Sequence, residues 1–180
     1  MTNRKRVLST ANMTRIAVLG AISAILFWWP ELTIIPPFYK LDFSNLAVLL
    51  GSFSMGIVPG LLIVLIKDLI GLLHSSTGGV GELADFIMSA AMVIPAVLIY
   101  KGQKNRKGAI ISLAVASVVM IFVAALVNAF LLFPLLTHKM PEFKFILTAT
   151  IPFNLLKAVV LSAITYFVYK PLSPLLHGRH

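Results

Sequence analysis

Two polar side chains, Asn154 and Lys157, lie three residues apart near the middle of an apolar stretch that runs from Phe145 to Tyr169. Three residues make about one turn of a helix, so both side chains point the same way. A lysine buried in lipid is costly and is rarely kept unless it faces a partner, a cavity or a ligand. Because a second amide, Asn128, lies in the preceding apolar stretch, these three residues are the first candidates for a binding site.

The three candidates are expected at similar depths in the membrane. With a rise of about 1.5 Å per residue, Asn128 lies about 9 Å below the end of its helix, Asn154 about 13 Å and Lys157 about 18 Å. Two amides and one amine suit a flat ring that is rich in heteroatoms. The alternative is a polar clamp between two helices. Two amides alone could satisfy each other's hydrogen bonds. The additional lysine therefore favours a ligand site over a clamp.

Two loops between apolar stretches add further candidates. In the segment 77–82, Gly78 and Gly79 allow a close approach of backbone N–H groups to a ligand, and Glu82 follows at the start of the next helix. The spacing fits neither a P-loop nor a dinucleotide-binding fingerprint. A flexible turn with an acidic cap is the alternative for this segment.

The segment Lys40-Leu41-Asp42 precedes Ser44 in the first loop, and Asp42 or Ser44 is a natural N-cap for the helix that follows. Pro36 and Pro37 stiffen this loop, so a lid over a pocket is the second interpretation. Lys67 and Asp68 lie within an apolar stretch, where a structural ion network is favoured over ion-coupled transport, although neighbours on a helix need not pair with each other.

The composition indicates an integral membrane protein. Of the 180 residues, 59% are hydrophobic, and the mean hydropathy is +0.97, whereas soluble domains average about 45–50% apolar residues. The net charge of +9 comes mostly from short loops, as expected for positively charged cytoplasmic loops rather than for nucleic-acid binding. The chain has no cysteine, so it can form neither a disulfide nor a thiolate metal site.

Apolar stretches long enough for a membrane predict an all-α fold with six transmembrane helices in one substrate-binding domain, residues 1–180. The expected spans are about 12–30, 45–57, 58–75, 82–100, 108–135 and 145–170. The second span is short and is expected to be partly buried in protein. The break between the second and third spans is expected near Gly56–Gly60. A single kinked helix there would leave five spans.

The loop charges predict that both termini are cytoplasmic. The opposite side carries only Lys40, Lys139 and Lys144, while Lys67 and Lys157 lie within spans. The side of the termini carries the remaining basic residues: Arg4, Lys5, Arg6, Arg15, Lys101, Lys104, Arg106, Lys107, Lys170 and Arg179. The outer loops are the chemically richer ones, so the binding site is expected near the outer face.

Catalysis by this chain is not indicated. It contains no HExxH, GxSxG or Walker A motif. Its four histidines are scattered in loops and at the tail, so a metal site is not predicted. An intramembrane enzyme would need an activated nucleophile or a metal. A stand-alone secondary transporter remains an alternative, with Lys67 and Asp68 as the coupling residues.

Five short stretches, in this order along the chain, resemble the substrate-binding S-components of energy-coupling-factor (ECF) vitamin transporters, specifically the riboflavin type. They are 40–44 (KLDFS), 77–86 (TGGVGELADF), 104–108 (KNRKG), 127–129 (VNA) and 154–157 (NLLK). No single stretch is diagnostic, but their ordered combination covers most of the chain. The same scaffold serving another vitamin or small molecule is the alternative.

The resemblance implies a multi-pass protein of the cell membrane that captures riboflavin near the outer face, beneath the first loop, as a substrate and not as a cofactor. It implies that Asn128, Asn154 and Lys157 hydrogen-bond the isoalloxazine ring. The ring or ribityl chain would also lie near Lys40, Leu41, Asp42, Gly78, Gly79 and Glu82. A small-residue strip with Ala17 and Ala21 would dock on a transmembrane coupling subunit. Two ATPase subunits would supply the energy.

Overall fold

Six helices and one short hairpin make up the part of the chain that the computed structural model describes, which is residues 9–28, 32–35 and 39–177. Helix α1 is Thr10–Trp28, strands β1 and β2 are Leu32–Ile35 and Tyr39–Leu41, α2 is Ser44–Met55, and α3 is Ile57–Gly71, continued by a 3-10 turn, Leu72–His74. Helix α4 is Val80–Gly102. Helix α5 consists of Arg106–Val127, Asn128–Leu132 and Phe133–Thr137, and α6 of Phe143–Phe145, Ile146–Thr150 and Ile151–His177.

The predicted all-α class with six helices is confirmed. Five helices are long and apolar enough to cross a membrane: Thr10–Trp28, Ile57–His74, Val80–Gly102, Lys107–Thr137 and Phe143–Tyr169. Helix α2 has only 12 residues. Nine of those 12 are buried, from Ser44 to Phe53 with the exception of Leu46. The short second helix therefore lies largely within protein, as its length suggested.

Gly56 interrupts the helical structure between α2 and α3, so the alternative of one long kinked helix is wrong. Gly56 has a φ of 101°, a left-handed conformation that glycine adopts without strain, and its N–H bonds to the carbonyl of Ser52. Pro59 lies in the first turn of α3, where a proline leaves no intrahelical hydrogen bond unmade. The interruption predicted near Gly56–Gly60 is therefore a connection of one residue between two helices.

The first loop contains an antiparallel hairpin that the sequence did not predict. Strands β1 and β2 pair Leu32 with Leu41 and Thr33 with Lys40. Tyr39 and Leu41 are buried in a cluster with Phe133, Ala149 and Phe153 of α5 and α6, and the Tyr39 hydroxyl is hydrogen-bonded to Thr150. The described part of this loop is thus fixed onto the two C-terminal helices. Pro36 and Pro37 lie outside the described residues.

Two π-helical segments face each other on neighbouring helices, at Asn128–Leu132 of α5 and Ile146–Thr150 of α6. Such segments are rare and occur often at functional sites, because one extra residue per turn redirects the side chains around it. The first segment begins at Asn128, and the second ends four residues before Asn154. Both predicted amides therefore lie next to an irregular turn.

A buried apolar cluster fills the interior between α2, α4, α5 and α6, with Leu49, Met92, Ala116, Met120 and Ala158 among its members. At one end of this cluster, Phe53, Tyr100 and Tyr169 pack ring against ring, with centroids 4.7–5.6 Å apart. A second cluster joins α1, α2, α3 and α4. The polar site lies beyond these clusters, towards the hairpin.

Candidate functional site

A cavity of about 520 Å³ opens between the hairpin, the turn before α4 and helices α1, α3, α4, α5 and α6. Its volume is in the range of small-molecule sites, about 300–1,000 Å³. Its lining includes apolar, aromatic, amide and charged side chains: Phe27, Trp28, Tyr39, Asp42, Gly71, His74, Ser76, Thr77, Gly81, Glu82, Ala84, Asp85, Met88, Asn128, Leu132, Leu136, Phe153, Asn154 and Lys157. Five of the sequence-predicted residues thus meet here: Asp42, Glu82, Asn128, Asn154 and Lys157.

Asn128 and Asn154 are held in the same way. Each is buried, and each side-chain NH₂ donates to the backbone carbonyl four residues earlier, Asn128 to Ala124 at 2.7 Å and Asn154 to Thr150 at 2.9 Å. Because the nitrogen is anchored to the helix, the carbonyl oxygen of each amide points away from that anchor. The Oδ1 of Asn128 has no hydrogen-bond partner among the described residues. A buried acceptor without a donor is costly, so this atom is suited to a ligand N–H.

Lys157 lies between two carboxylates rather than alone in the cavity. Its Nζ donates to Asp42 Oδ2 at 2.8 Å and lies 3.6 Å from Asp85 Oδ1. An ammonium group has three N–H donors, and Asp42 uses one of them. The lysine is therefore charge-compensated and held in place while it retains donors for a ligand.

Asp42 lies at the start of α2 and also lines the cavity. The N-cap position itself is occupied by Phe43, so the prediction that Asp42 or Ser44 caps this helix is wrong. The Oδ1 of Asp42 accepts hydrogen bonds from the backbone N–H of Ser44 at 3.0 Å and from the Ser44 hydroxyl, at the start of α2. Its Oδ2 accepts from Lys157. The residue thus stabilises a helix N-terminus, where a negative charge is favourable, and at the same time lines the cavity.

Behind the cavity wall, Lys67 and Asp85 form a buried ion pair between α3 and α4. Lys67 also lies 3.1 Å from Asp68 and is fully buried. The Ser89 hydroxyl donates to Asn45 Oδ1 at 2.8 Å and to Asp85 Oδ2 at 3.1 Å. These contacts agree with the predicted structural ion network. Lys67 and Asp68 are close enough for an ion pair, which their neighbouring positions alone did not require.

The glycine-rich turn before α4 holds Glu82. The Glu82 carboxylate accepts hydrogen bonds from Ser75 Oγ at 2.8 Å and from Thr77 Oγ1 at 3.3 Å. Gly78 and Gly79 have φ values of 63° and 92°, so glycine meets a conformational need there. Ser76 and Thr77 of this turn and Gly81 in the first turn of α4 line the cavity, whereas Gly78 and Gly79 are not among the described lining residues.

Comparisons with known proteins identify the family. A family model described as ECF transporter, substrate-specific component, matches residues 11–169. The chain belongs to this family. A solved structure of the S component of a bacterial ECF transporter superposes on it with a TM-score of 0.81 and 33% identity, covering 92% of this chain and 97% of that chain.

Relatives of this S-component carry riboflavin transport in their names. The riboflavin transporter RibU of Staphylococcus aureus (strain TCH60) is 32% identical over 95% of this chain and 96% of its own length. The riboflavin transporter RibU of Leuconostoc mesenteroides is 28% identical over 93% of both chains, and FmnP of Bacillus subtilis (strain 168) is 23% identical over 88% of this chain and 90% of its own length. The S-component is thus a multi-pass membrane protein of a transport family and not an enzyme.

Two of the predicted loop residues of the S-component, Lys40 and Leu41, are not among the described residues that line the cavity. Leu41 is buried in the cluster that anchors the hairpin. Lys40 lies in β2, where its backbone faces Thr33, and its side chain lies outside the described residues. Both residues are close in the sequence to Asp42, which lines the cavity. Their contact with a ligand stays a prediction.

Ala17 and Ala21 lie on an exposed face of α1, away from the cavity. The larger residues beside them, Val18, Ile22 and Ile25, are also exposed. A smooth apolar face of this kind is available to lipid or to another helix. Docking of a coupling subunit on it stays a prediction.

Tyr39, Trp28 and His74 line the cavity. Of these, the sequence suggested only Tyr39, as an aromatic residue that could cover a pocket. Tyr39 packs against Phe153 with ring centroids 4.9 Å apart. Trp28 and His74 close another side, with ring centroids 4.6 Å apart. Tyr39 directly precedes the predicted segment 40–42, which was a usable signal, whereas the contact between Trp28 and His74 joins two helices and has no local signature. The described residues contain no cluster of three metal-ligating side chains.

Proposed function

We propose that this S-component binds riboflavin as the substrate of an ATP-driven ECF vitamin importer. The observation that carries the proposal is the meeting of Asn128, Asn154 and Lys157 in one cavity, where Asn128 Oδ1 lacks a donor. The isoalloxazine ring presents N–H and C=O groups along one edge. Amide acceptors and an ammonium donor on neighbouring helices match such an edge.

The rest of the cavity suits the remainder of a flavin. The ring system is a broad plane, and pockets for such ligands are mostly apolar with a few placed polar groups. Phe27, Tyr39, Met88, Leu132 and Phe153 supply apolar and aromatic lining. At the turn before α4, Ser76, Thr77 and Glu82 offer hydroxyl and carboxylate groups to the hydroxyls of a ribityl chain. The names of the relatives give the same substrate.

The route of the substrate follows from the charge distribution. The termini and the basic loop at residues 101–107 would face the cytoplasm. The hairpin and the cavity would then lie on the outer side, and riboflavin would enter from outside. The exposed Ala17 and Ala21 would meet the transmembrane coupling subunit, and two ATPase subunits would drive release into the cell. This chain would need no nucleotide site of its own.

Titration of the purified protein tests the proposal. Isothermal calorimetry against riboflavin, riboflavin 5′-phosphate, thiamine and biotin should give one riboflavin site per chain and no heat with the last two. Protein purified from cells should carry a yellow flavin absorption band. A folded protein that binds another compound in the panel and not riboflavin would instead support the same scaffold with a different substrate.

A further inference from the structure

Lys67 is a fully buried cation that lies one step behind the cavity. It is 0% exposed and is not among the described residues that line the cavity. Its ammonium group contacts Asp85 Oδ2, lies 3.1 Å from Asp68 Oδ1 and sits 5.0 Å from the centre of the Phe27 ring. A buried lysine is retained where it has a defined partner. Of the two carboxylates beside Lys67, Asp85 lines the cavity, whereas Asp68 is not among the described lining residues.

The two oxygens of Asp85 have different neighbours. Oδ2 takes the contact with Lys67 and the hydrogen bond from Ser89 at 3.1 Å, whereas Oδ1 lies 3.6 Å from Lys157 Nζ. At 3.6 Å the attraction is electrostatic and not a hydrogen bond. Among the described residues, the one hydrogen bond from Lys157 goes to Asp42.

This arrangement determines how many donors Lys157 can offer a ligand. If Asp85 were not held by Lys67, its carboxylate would be free to turn towards Lys157 and accept a hydrogen bond from it. Lys157 would then donate to two carboxylates, which would leave one of its three N–H groups for a ligand instead of two. Lys67 competes for Asp85 and so leaves the Lys157 donors available.

We infer that Lys67 is a positioning residue for substrate binding, which acts through Asp85 to fix the Lys157 ammonium group at the cavity. This inference rests on the proposed function, because its measurable consequence is riboflavin affinity. It assigns a binding role to a residue that is not among the described residues lining the cavity. It also gives a reason for a second buried lysine in a chain of this length.

The test is a double-mutant cycle on the purified protein with riboflavin as the probe. Lys67→Met alone leaves excess buried negative charge, so the variant to use is Lys67→Met with Asp68→Asn, which removes one positive and one negative group together. We expect this pair of changes to raise the Kd about tenfold. In a Lys157→Met background, the same pair should change the Kd less than about twofold, because residues that act through one another are not additive.

A milder variant gives a second reading if the double change lowers the yield of folded protein. Ser89→Ala removes the other donor to Asp85 Oδ2 and should raise the Kd about threefold, again only when Lys157 is present. Ser112→Ala is the matched control, because Ser112 is a buried serine that bonds within its own helix to Ala109. It should leave the Kd unchanged.

These measurements distinguish a failure of the proposed riboflavin binding from a failure of the inference about Lys67. Parent protein that does not bind riboflavin contradicts the proposed function and the inference with it. Parent protein that binds, with a Kd that is unchanged in the Lys67 and Ser89 variants, overturns the inference alone. Equal losses with and without Lys157 would show that Lys67 only supports the fold, and would also overturn it.

Discussion

At the scale of single residues, a substitution of Asn128 should affect riboflavin affinity and protein stability in different ways. Its Oδ1 is buried without a partner among the described residues, and an unmet acceptor costs about 1–3 kcal/mol. Asn128→Leu removes that acceptor in a similar volume. We expect riboflavin affinity to fall about 10–100-fold, while the thermal unfolding midpoint of the ligand-free protein stays equal or rises. Calorimetry and thermal unfolding in detergent measure the two effects.

The control for this change is Ser117→Ala, also on α5, where Ser117 bonds to Leu113 and contacts Ser162. It should leave riboflavin affinity unchanged. An Asn128→Leu protein that binds like the parent would remove Asn128 from the site. A variant that loses stability and affinity together would show that Asn128 acts as a clamp between helices.

Tyr39 gives a prediction that depends on pH. Burial raises the pKa of the Tyr39 phenol above its ordinary value of about 10, against a smaller opposite effect of the hydrogen bond with Thr150. The folded state therefore retains the phenol proton more tightly than the unfolded state. The stabilisation is fully present below about pH 10 and is lost as the pH rises through the raised pKa of the folded state.

We therefore expect Tyr39→Phe to lower the free energy of unfolding by about 0.5–1.5 kcal/mol at neutral pH. The difference between parent and variant should shrink above about pH 10. Thermal unfolding at a series of pH values measures it. A difference that does not change with pH would show that the phenol proton does not contribute.

The sequence was sufficient to predict the arrangement of site residues that are close to each other along the chain. Asn154 and Lys157 share a face because they lie one turn apart, and both line the cavity. The partners of Lys157 were not predictable, since Asp42 is 115 residues away in the chain and their distance depends on how the hairpin packs. For the same reason the sequence did not predict that carboxylates would compensate the charge of Lys157.

At the scale of the helices, the two π-helical segments set the direction of the amides. Deleting Phe130, which is 69% exposed and lies within Asn128–Leu132, should convert that segment to a regular helix. One residue corresponds to about 100° of rotation, so Asn128 would turn relative to the end of α5. We expect riboflavin binding to be lost while the helix content measured by circular dichroism is retained.

Deletion of Met140 is the matched control, because this residue is exposed in the loop between α5 and α6. Loops tolerate such changes better than helices, so this protein should still bind riboflavin. Retained binding after deletion of Phe130 would show that the irregular turn does not position the site.

The number of helices was predictable from the length and hydropathy of the apolar stretches, and the interruption at Gly56 from the glycine. The irregular elements were not predictable in this way. The segment Asn128–Leu132 is apolar like the helix around it and carries no local signal for a wider turn. The hairpin was equally hidden, because its strands have four and three residues and depend on the buried contacts of Tyr39 and Leu41. Such elements are stabilised by packing more than by propensity.

At the scale of the whole molecule, the orientation is open to a direct experiment, because the natural chain has no cysteine. Single cysteines at Met140 and at Gln103, both exposed in loops at opposite ends of α5, report the two faces. We expect a membrane-impermeant thiol reagent to label Met140→Cys on intact cells and Gln103→Cys only after lysis, because basic loops stay in the cytoplasm. The reverse pattern would invert the proposed topology.

The most direct test of the whole account is a riboflavin fluorescence titration of the purified chain, with the parent beside Asn128→Leu and Ser117→Ala. We predict fluorescence quenching that saturates at one riboflavin per chain in the parent and in Ser117→Ala, and that saturates only at far higher riboflavin concentration in Asn128→Leu. Folded parent protein that leaves riboflavin fluorescence unchanged would contradict it.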